Sequence, residues 1–241
     1  MHLLNRLFIL FSILTNVSFA GLGKNPIVLV HGYGPRFYVN LQKYKNFLVS
    51  DGISKDAIFL LDYPQLAEPK EIVQSVKEQL TAFLSKFPEG TKLDLITHSY
   101  GNFVGLYAPL EAGLGNRVEN FIGLAGIARG MGELRLCRIL LGCGKTLPLL
   151  TPYMSPFVEE YLTKHSSEIE KYNKCSLYSE SDKVVVDPPD SGALPGGKIV
   201  EVTDSTHMDF VHSEDLYAIM KTACFGVKAP GNGFRHEWRF R

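Results

Sequence analysis

Three short apolar runs, each closed by glycine or by small and polar residues, set the frame of this 241-residue chain. They are "NPIVLVHGYG", "DAIFLLDYP" and "KLDLITHSYG", beginning at residues 25, 56 and 92. Aliphatic and β-branched runs of this length read as strands buried on both faces. Between the second and third lies "EPKEIVQSVKEQLTAFLSKFPEG", in which Ile72, Val76, Leu80, Phe83 and Phe87 recur at three- and four-residue steps. With Pro69 at its entrance and Pro88, Glu89 and Gly90 behind it, the segment is predicted as an amphipathic helix. "NFVGLYAPLEAG" reads as a second helix and "VENFIGLAGIA" as a fourth strand. Strand, helix, strand, helix, strand is the rhythm of an α/β domain whose mostly parallel sheet carries helices on both faces.

The rhythm breaks from Arg129 to about Tyr172. That stretch shows no strand pattern, only short helical pieces separated by Gly and Pro, and at about forty residues it is longer than most connections. It is predicted as a helical cap or lid inserted into one domain spanning 21–241. In "ELRLCRILLG", Leu134, Cys137, Leu140 and Leu141 can share one helical face, which suits either a lid that meets lipid or a cap packed against the core. Alternation returns with "KCSLYSESD" and "GGKIVEVTDSTH", two strands ending in polar residues, and "DFVHSEDLYAIMKTACF" closes as a helix. The tail "GFRHEWRFR" mixes aromatic residues with arginine; it reads as a loosely ordered terminus, with contact to a membrane surface or a partner as the alternative.

The first twenty residues, "MHLLNRLFILFSILTNVSFA", have the form of a secretory signal peptide: His2 and Arg6, an apolar core, then Ser18 and Ala20 at the small-residue positions of a cleavage site. The apolar run is too short for a membrane-spanning helix. Export to the periplasm or the exterior makes disulfides available to Cys137, Cys143, Cys175 and Cys224. Cys137 with Cys143 and Cys175 with Cys224 is one of three pairings the spacing leaves open. Lys plus Arg and Asp plus Glu both number 25, which offers no electrostatic footprint for nucleic acid. No metal-ligand spacing is present.

The chemistry concentrates at Thr97-His98-Ser99-Tyr100-Gly101. At the C-terminal end of a parallel strand and the start of a helix, a serine stands on the ligand-binding edge of the sheet. The turn is tight, so the residues two before and two after must be small, and the helix N-terminus favours developing negative charge. Serine needs a base, and the base needs an acid. In such an elbow these follow in the order acid then histidine, each after a strand. Asp182 follows "CSLYSES" and His207 follows "KIVEVTDST". His207 is preferred over His212, which falls inside the closing helix. Asp182 is preferred over Asp187, Asp190 and Asp204. His31 and His98 read as structural. Oxyanion donors are expected from the backbone N–H of Tyr100, next to the nucleophile, and of Tyr33, in the loop after the first strand.

"NPIVLVHGYG", "THSYG", "SESD" and "STHMDF" together resemble the α/β-hydrolases, and among them small secreted lipases and esterases. The resemblance spans about residues 25–225. It implies hydrolysis of a carboxylic ester, plausibly of a small-molecule or lipid substrate, through an acyl-enzyme intermediate and with no cofactor. Thr97 stands where most members carry Gly or Ala; a threonine-first elbow occurs among lipase-like members. A thioesterase using the same three residues, or a non-catalytic protein holding an acyl chain or partner on the same fold, are the alternatives.

Overall fold

The computed structural model describes residues 21–34, 37–132, 144–185, 189–228, 231 and 233–241, with the backbone alone over 37–40. The expected signal peptide, Asp187, and both Cys137 and Cys143 lie outside the described residues.

Strands β1 (Ile27–Val30), β2 (Ile58–Leu61), β3 (Leu93–His98), β4 (Val118–Leu124), β5 (Asn173–Tyr178), β6 (Lys198–Val202) and β7 (Trp238–Phe240) form one sheet in the order β2-β1-β3-β4-β5-β6-β7. The first six are parallel and β7 pairs antiparallel with β6. The chain therefore enters at β1, moves outward to β2, and returns to the other side of β1 as β3. That reversal sets the loops after β1 and β3 side by side at the C-terminal edge of the sheet, the edge at which α/β proteins bind ligands.

Period-two side-chain alternation divides the sheet between two apolar layers. Val28, Val30 and Leu95 point to one face, where Ile72, Val76 and Leu80 of α2 (Pro69–Leu84) and Phe103 and Val104 of α3 (Tyr100–Glu111) cover them. Ile27, Leu29 and Ile96 point to the other face. There they meet Leu41, Tyr44 and Leu48 of α1 (Phe37–Ser50) and Ile219 and Met220 of the closing helix. Burial on both faces explains why these strands carry continuous apolar runs rather than alternating ones.

Between β4 and β5, the described residues 144–172 contain a 3-10 turn (Leu147–Leu150), α4 (Pro156–Lys164) and α5 (Ser166–Ile169), and no strand. Phe157 and Tyr161 of α4 pack their rings against Phe103 and Tyr107 of α3, and the Tyr161 hydroxyl donates to the Ala128 carbonyl.

Three elements depart from the sequence reading. Helix α1 occupies a stretch that carries no assignment above, although Leu41, Tyr44 and Leu48 have helical spacing. The closing helix is two helices, α6 (Asp209–His212) and α7 (Glu214–Phe225), because Ser213 takes extended backbone and its side chain accepts from the Leu216 N–H, capping the second. The terminus expected to be loose is ordered as β7. Its three residues pair Val200 with Phe240, Glu201 with Arg239 and Val202 with Trp238. Of the cysteine pairings, Cys175 with Cys224 is present and ties β5 to α7.

Candidate active site

Ser99 lies between the last residue of β3 and the first of α3 with φ 55° and ψ −126°, a backbone conformation that non-glycine residues seldom adopt. Two close approaches hold it there. A Cβ on Gly101 would lie 2.2 Å from the His31 carbonyl oxygen and 2.4 Å from that of Val30, so the helix can start this near β1 only with glycine. A Cβ on Gly32 would stand 2.9 Å from the Ser99 Cβ, which puts the backbone of the loop after β1 directly against Ser99.

Thr97, the unusual first residue of the elbow, is bonded on both sides. Its hydroxyl donates to the Ile122 carbonyl at 2.8 Å and accepts from Asn102 Nδ2 at 3.0 Å, while Asn102 Oδ1 accepts from the Ala128 N–H at 2.8 Å. One side-chain pair thus fastens the strand end, the first turn of α3 and the loop after β4. Gly105 makes room for the Thr97 methyl, since a Cβ there would be 2.7 Å from it.

Asp182 and His207 come together from the loops after β5 and β6. Asp182 Oδ2 is 2.7 Å from His207 Nδ1, and both side chains are almost fully buried. Asp182 Oδ1 accepts from the backbone N–H of Val184 at 2.7 Å and of Val185 at 3.1 Å, so the carboxylate cannot rotate away. With Nδ1 engaged, His207 presents Nε2, which is buried and has no hydrogen-bond partner among the described residues. No hydrogen bond joins it to Ser99 Oγ. Such contacts are often long until substrate closes the site. Asp190 and Asp204 are exposed, and neither reaches His207.

His98 was expected to be structural, and it makes a bond no pattern in the chain would reveal. Its Nε2 donates to the His207 backbone carbonyl at 3.0 Å, and the two rings lie 4.6 Å apart. Burial first, then the neighbouring His207, holds the His98 imidazole well below its ordinary pKa, so it is a neutral donor. His98, the residue before Ser99, therefore links the Ser99 turn to the His207 loop. His31 Nδ1 donates to the Gly32 carbonyl at 2.7 Å, its ring stacks on Tyr63 at 4.6 Å, and the Tyr63 hydroxyl donates to the His31 carbonyl at 2.6 Å. Gly34 donates its N–H to Gln65 Oε1. Tyr63 and Gln65, from the loop after β2, hold the segment that carries Tyr33. Tyr33 is buried edge-on to Tyr100 at 5.9 Å, so the two expected oxyanion residues are neighbours.

No group of three or more His, Cys, Asp or Glu arranged to hold a metal occurs among the described residues, and no helix there is long and apolar enough to cross a membrane.

A family model described as Lipase (class 2) matches residues 24–221. Among solved structures, the chain is similar to the mature form of the Bacillus licheniformis lipase BlEst2, with 14% identity and a TM-score of 0.64 over 83% of this chain and 91% of that one. It is similar to Aspergillus fumigatus lipase B, with 16% identity and a TM-score of 0.66, over 87% of this chain and 54% of that one. A third likeness, at 16% identity and TM-score 0.55 over 87% and 93%, is to the 2-hydroxy-6-oxo-6-phenylhexa-2,4-dienoate hydrolase of Rhodococcus sp. strain RHA1. At these identities the three structures establish the α/β-hydrolase fold.

Proposed function

We propose that this chain, which belongs to the Lipase (class 2) family and is a carboxylic ester hydrolase, uses Ser99 as nucleophile, His207 as general base and then acid, and Asp182 as the group that orients His207. The observation that carries the reading is the 2.7 Å contact between Asp182 Oδ2 and His207 Nδ1, which leaves a buried, unpartnered Nε2 at the edge of the sheet where Ser99 stands.

As Ser99 Oγ attacks the acyl carbon, His207 Nε2 takes the hydroxyl proton, and the carbonyl π pair moves onto oxygen. The backbone N–H groups of Tyr100 and Tyr33 receive that charge. Collapse breaks the bond to the alcohol oxygen, and the alcohol leaves with the proton from His207. Water then repeats the sequence on the acyl-enzyme, releasing the acid and restoring Ser99. Asp182 holds the His207 ring in place and stabilises the imidazolium.

The substrate class is a carboxylic ester, up to a lipid ester, a reading supported by the Lipase (class 2) family match. Residues 129–172 serve as a cap over the site. The chain is exported, with cleavage after Ala20. The leader pattern and the disulfide between Cys175 and Cys224 support export, since such bonds persist in oxidising compartments.

Hydrolysis of a p-nitrophenyl ester series by wild type and Ser99→Ala tests the assignment. Turnover should fall by at least about a thousandfold in Ser99→Ala with folding intact, and the chain-length profile of the wild type separates esterase from lipase. Undiminished turnover in Ser99→Ala would remove Ser99 from the mechanism.

A further inference from the structure

The family match ends at residue 221, and the chain beyond it returns to the loop that carries His207. Asp215, in the first turn of α7, accepts the backbone N–H of Arg235 at 3.0 Å and of His236 at 2.8 Å, which fastens the returning segment. The Glu237 carbonyl accepts the Thr203 N–H at 2.9 Å and the Thr203 hydroxyl at 3.3 Å. His236 Nδ1 lies 3.3 Å from the Thr203 carbonyl, which also accepts from Ser205 Oγ at 3.1 Å. These bonds surround the turn from Thr203 to His207, in which Asp204 has φ 50°, in the left-handed region. The same tail reaches the acid loop: Arg241 Nη2 is 2.7 Å from Glu180 Oε1, two residues before Asp182. Ser179 Oγ, in that acid loop, accepts the Ser205 N–H at 3.3 Å.

We propose that residues 233–241, with Asp215 as their anchor, are a positioning element of the active site. They hold the loops of His207 and Asp182 at the spacing the reaction requires. The inference rests on the assignment of His207 and Asp182 given above. A three-residue edge strand would add little to the sheet. Arg239 and Arg241 fasten it to the buried Glu201 of β6, and its other contacts fall on the acid loop and on the backbone of the turn whose placement sets the reach of Nε2. Misplacing a catalytic group by a fraction of an ångström lowers the rate without weakening substrate binding.

Two variants test this: full-length Asp215→Ala, and a chain ending at Lys228. Each is measured for kcat and KM on p-nitrophenyl butyrate, with Ser99→Ala as the reference, and for amide hydrogen exchange over residues 203–207. The expected result is a fall in kcat on the order of tenfold in Asp215→Ala and more in the shortened chain, with KM changed by less than about twofold. Exchange at 203–207 should accelerate in both. The peptide GFRHEWRFR added to the shortened chain should restore part of kcat. Unchanged exchange in Asp215→Ala, or faster exchange with kcat unaltered, overturns the proposal. If the shortened chain does not fold, Asp215→Ala decides alone. Turnover that persists in Ser99→Ala refutes the nucleophile assignment, and the exchange measurement still decides whether the tail holds the loop.

Discussion

At Ser99 the chain adopts a dihedral pair that its own side chain disfavours, and the neighbours that enforce it are specific. Gly101 is the least replaceable of them. Gly101→Ala must push α3 away from the His31 carbonyl, moving Ser99 and the oxyanion loop together, so kcat should fall by at least about a hundredfold, as read with a soluble p-nitrophenyl ester. Thr97 belongs to stability rather than chemistry. Thr97→Val keeps the shape but leaves Asn102 Nδ2 without its acceptor in a fully buried site. Urea unfolding should show a loss of about 1–3 kcal/mol with kcat little changed. The same pair explains why the threonine departure is legible only in retrospect. Asn102 and Gly105 follow it in the chain, but their fit to Thr97 depends on where β4 runs. Ser99, Asp182 and His207 could be singled out from sequence as candidates because each comes soon after a recognisable strand in the expected order. The His98 contact could not, because its partner is a backbone carbonyl more than a hundred residues away.

Among the elements, β3 carries an unusual passenger at its N-terminal end, opposite the end that leads into Ser99. Asp94 is fully buried, with Oδ1 accepting from Asn25 Nδ2 at 2.9 Å and Asn120 Nδ2 at 2.6 Å, while Oδ2 has no partner among the described residues. Burial, the largest influence, pushes its pKa up to about 6, against the lowering effect of the two amides. A carboxyl whose folded pKa exceeds its unfolded value binds more protons when folded, so it stabilises least where it must ionise. Wild-type stability should therefore fall relative to Asp94→Asn as pH rises from about 4 to about 6, by roughly 3 kcal/mol in all. Urea midpoints across that range check it, and parallel curves for the two proteins would contradict it. The elements show the same division between what was readable and what was not. Strands β1 to β4 were visible because burial on both faces demands apolar runs, and β5 and β6 because short stretches with apolar residues end in polar loops where the strand and helix alternation resumes. Strand β7 was not, because short, arginine-bearing edge strands look like loose termini until their partner is known. The break at Ser213 was hidden by apolar spacing that continues across it.

For the whole molecule, the order of strands does the positioning. Reversal at β1 sets the loops after β1 and β3 side by side, and β5 and β6 deliver Asp182 and His207 to the same edge. The disulfide between Cys175 and Cys224 closes a loop of 49 residues that contains both Asp182 and His207. Replacing both cysteines by alanine should lower unfolding free energy by about 4 kcal/mol, and reduction of the wild type should produce a similar shift in the urea midpoint. An alternating strand and helix pattern was sufficient to anticipate this architecture, since few other solutions bury so many two-faced strands. The central claim is that Ser99 is the nucleophile activated by His207. The most direct test is to inactivate the enzyme with a fluorophosphonate and map the adduct by mass spectrometry, in wild type and in His207→Ala. One adduct per chain on Ser99, forming in step with loss of ester hydrolysis and far more slowly in His207→Ala, is the predicted result. Inactivation with the adduct on another residue, or labelling of Ser99 at an undiminished rate in His207→Ala, would contradict it.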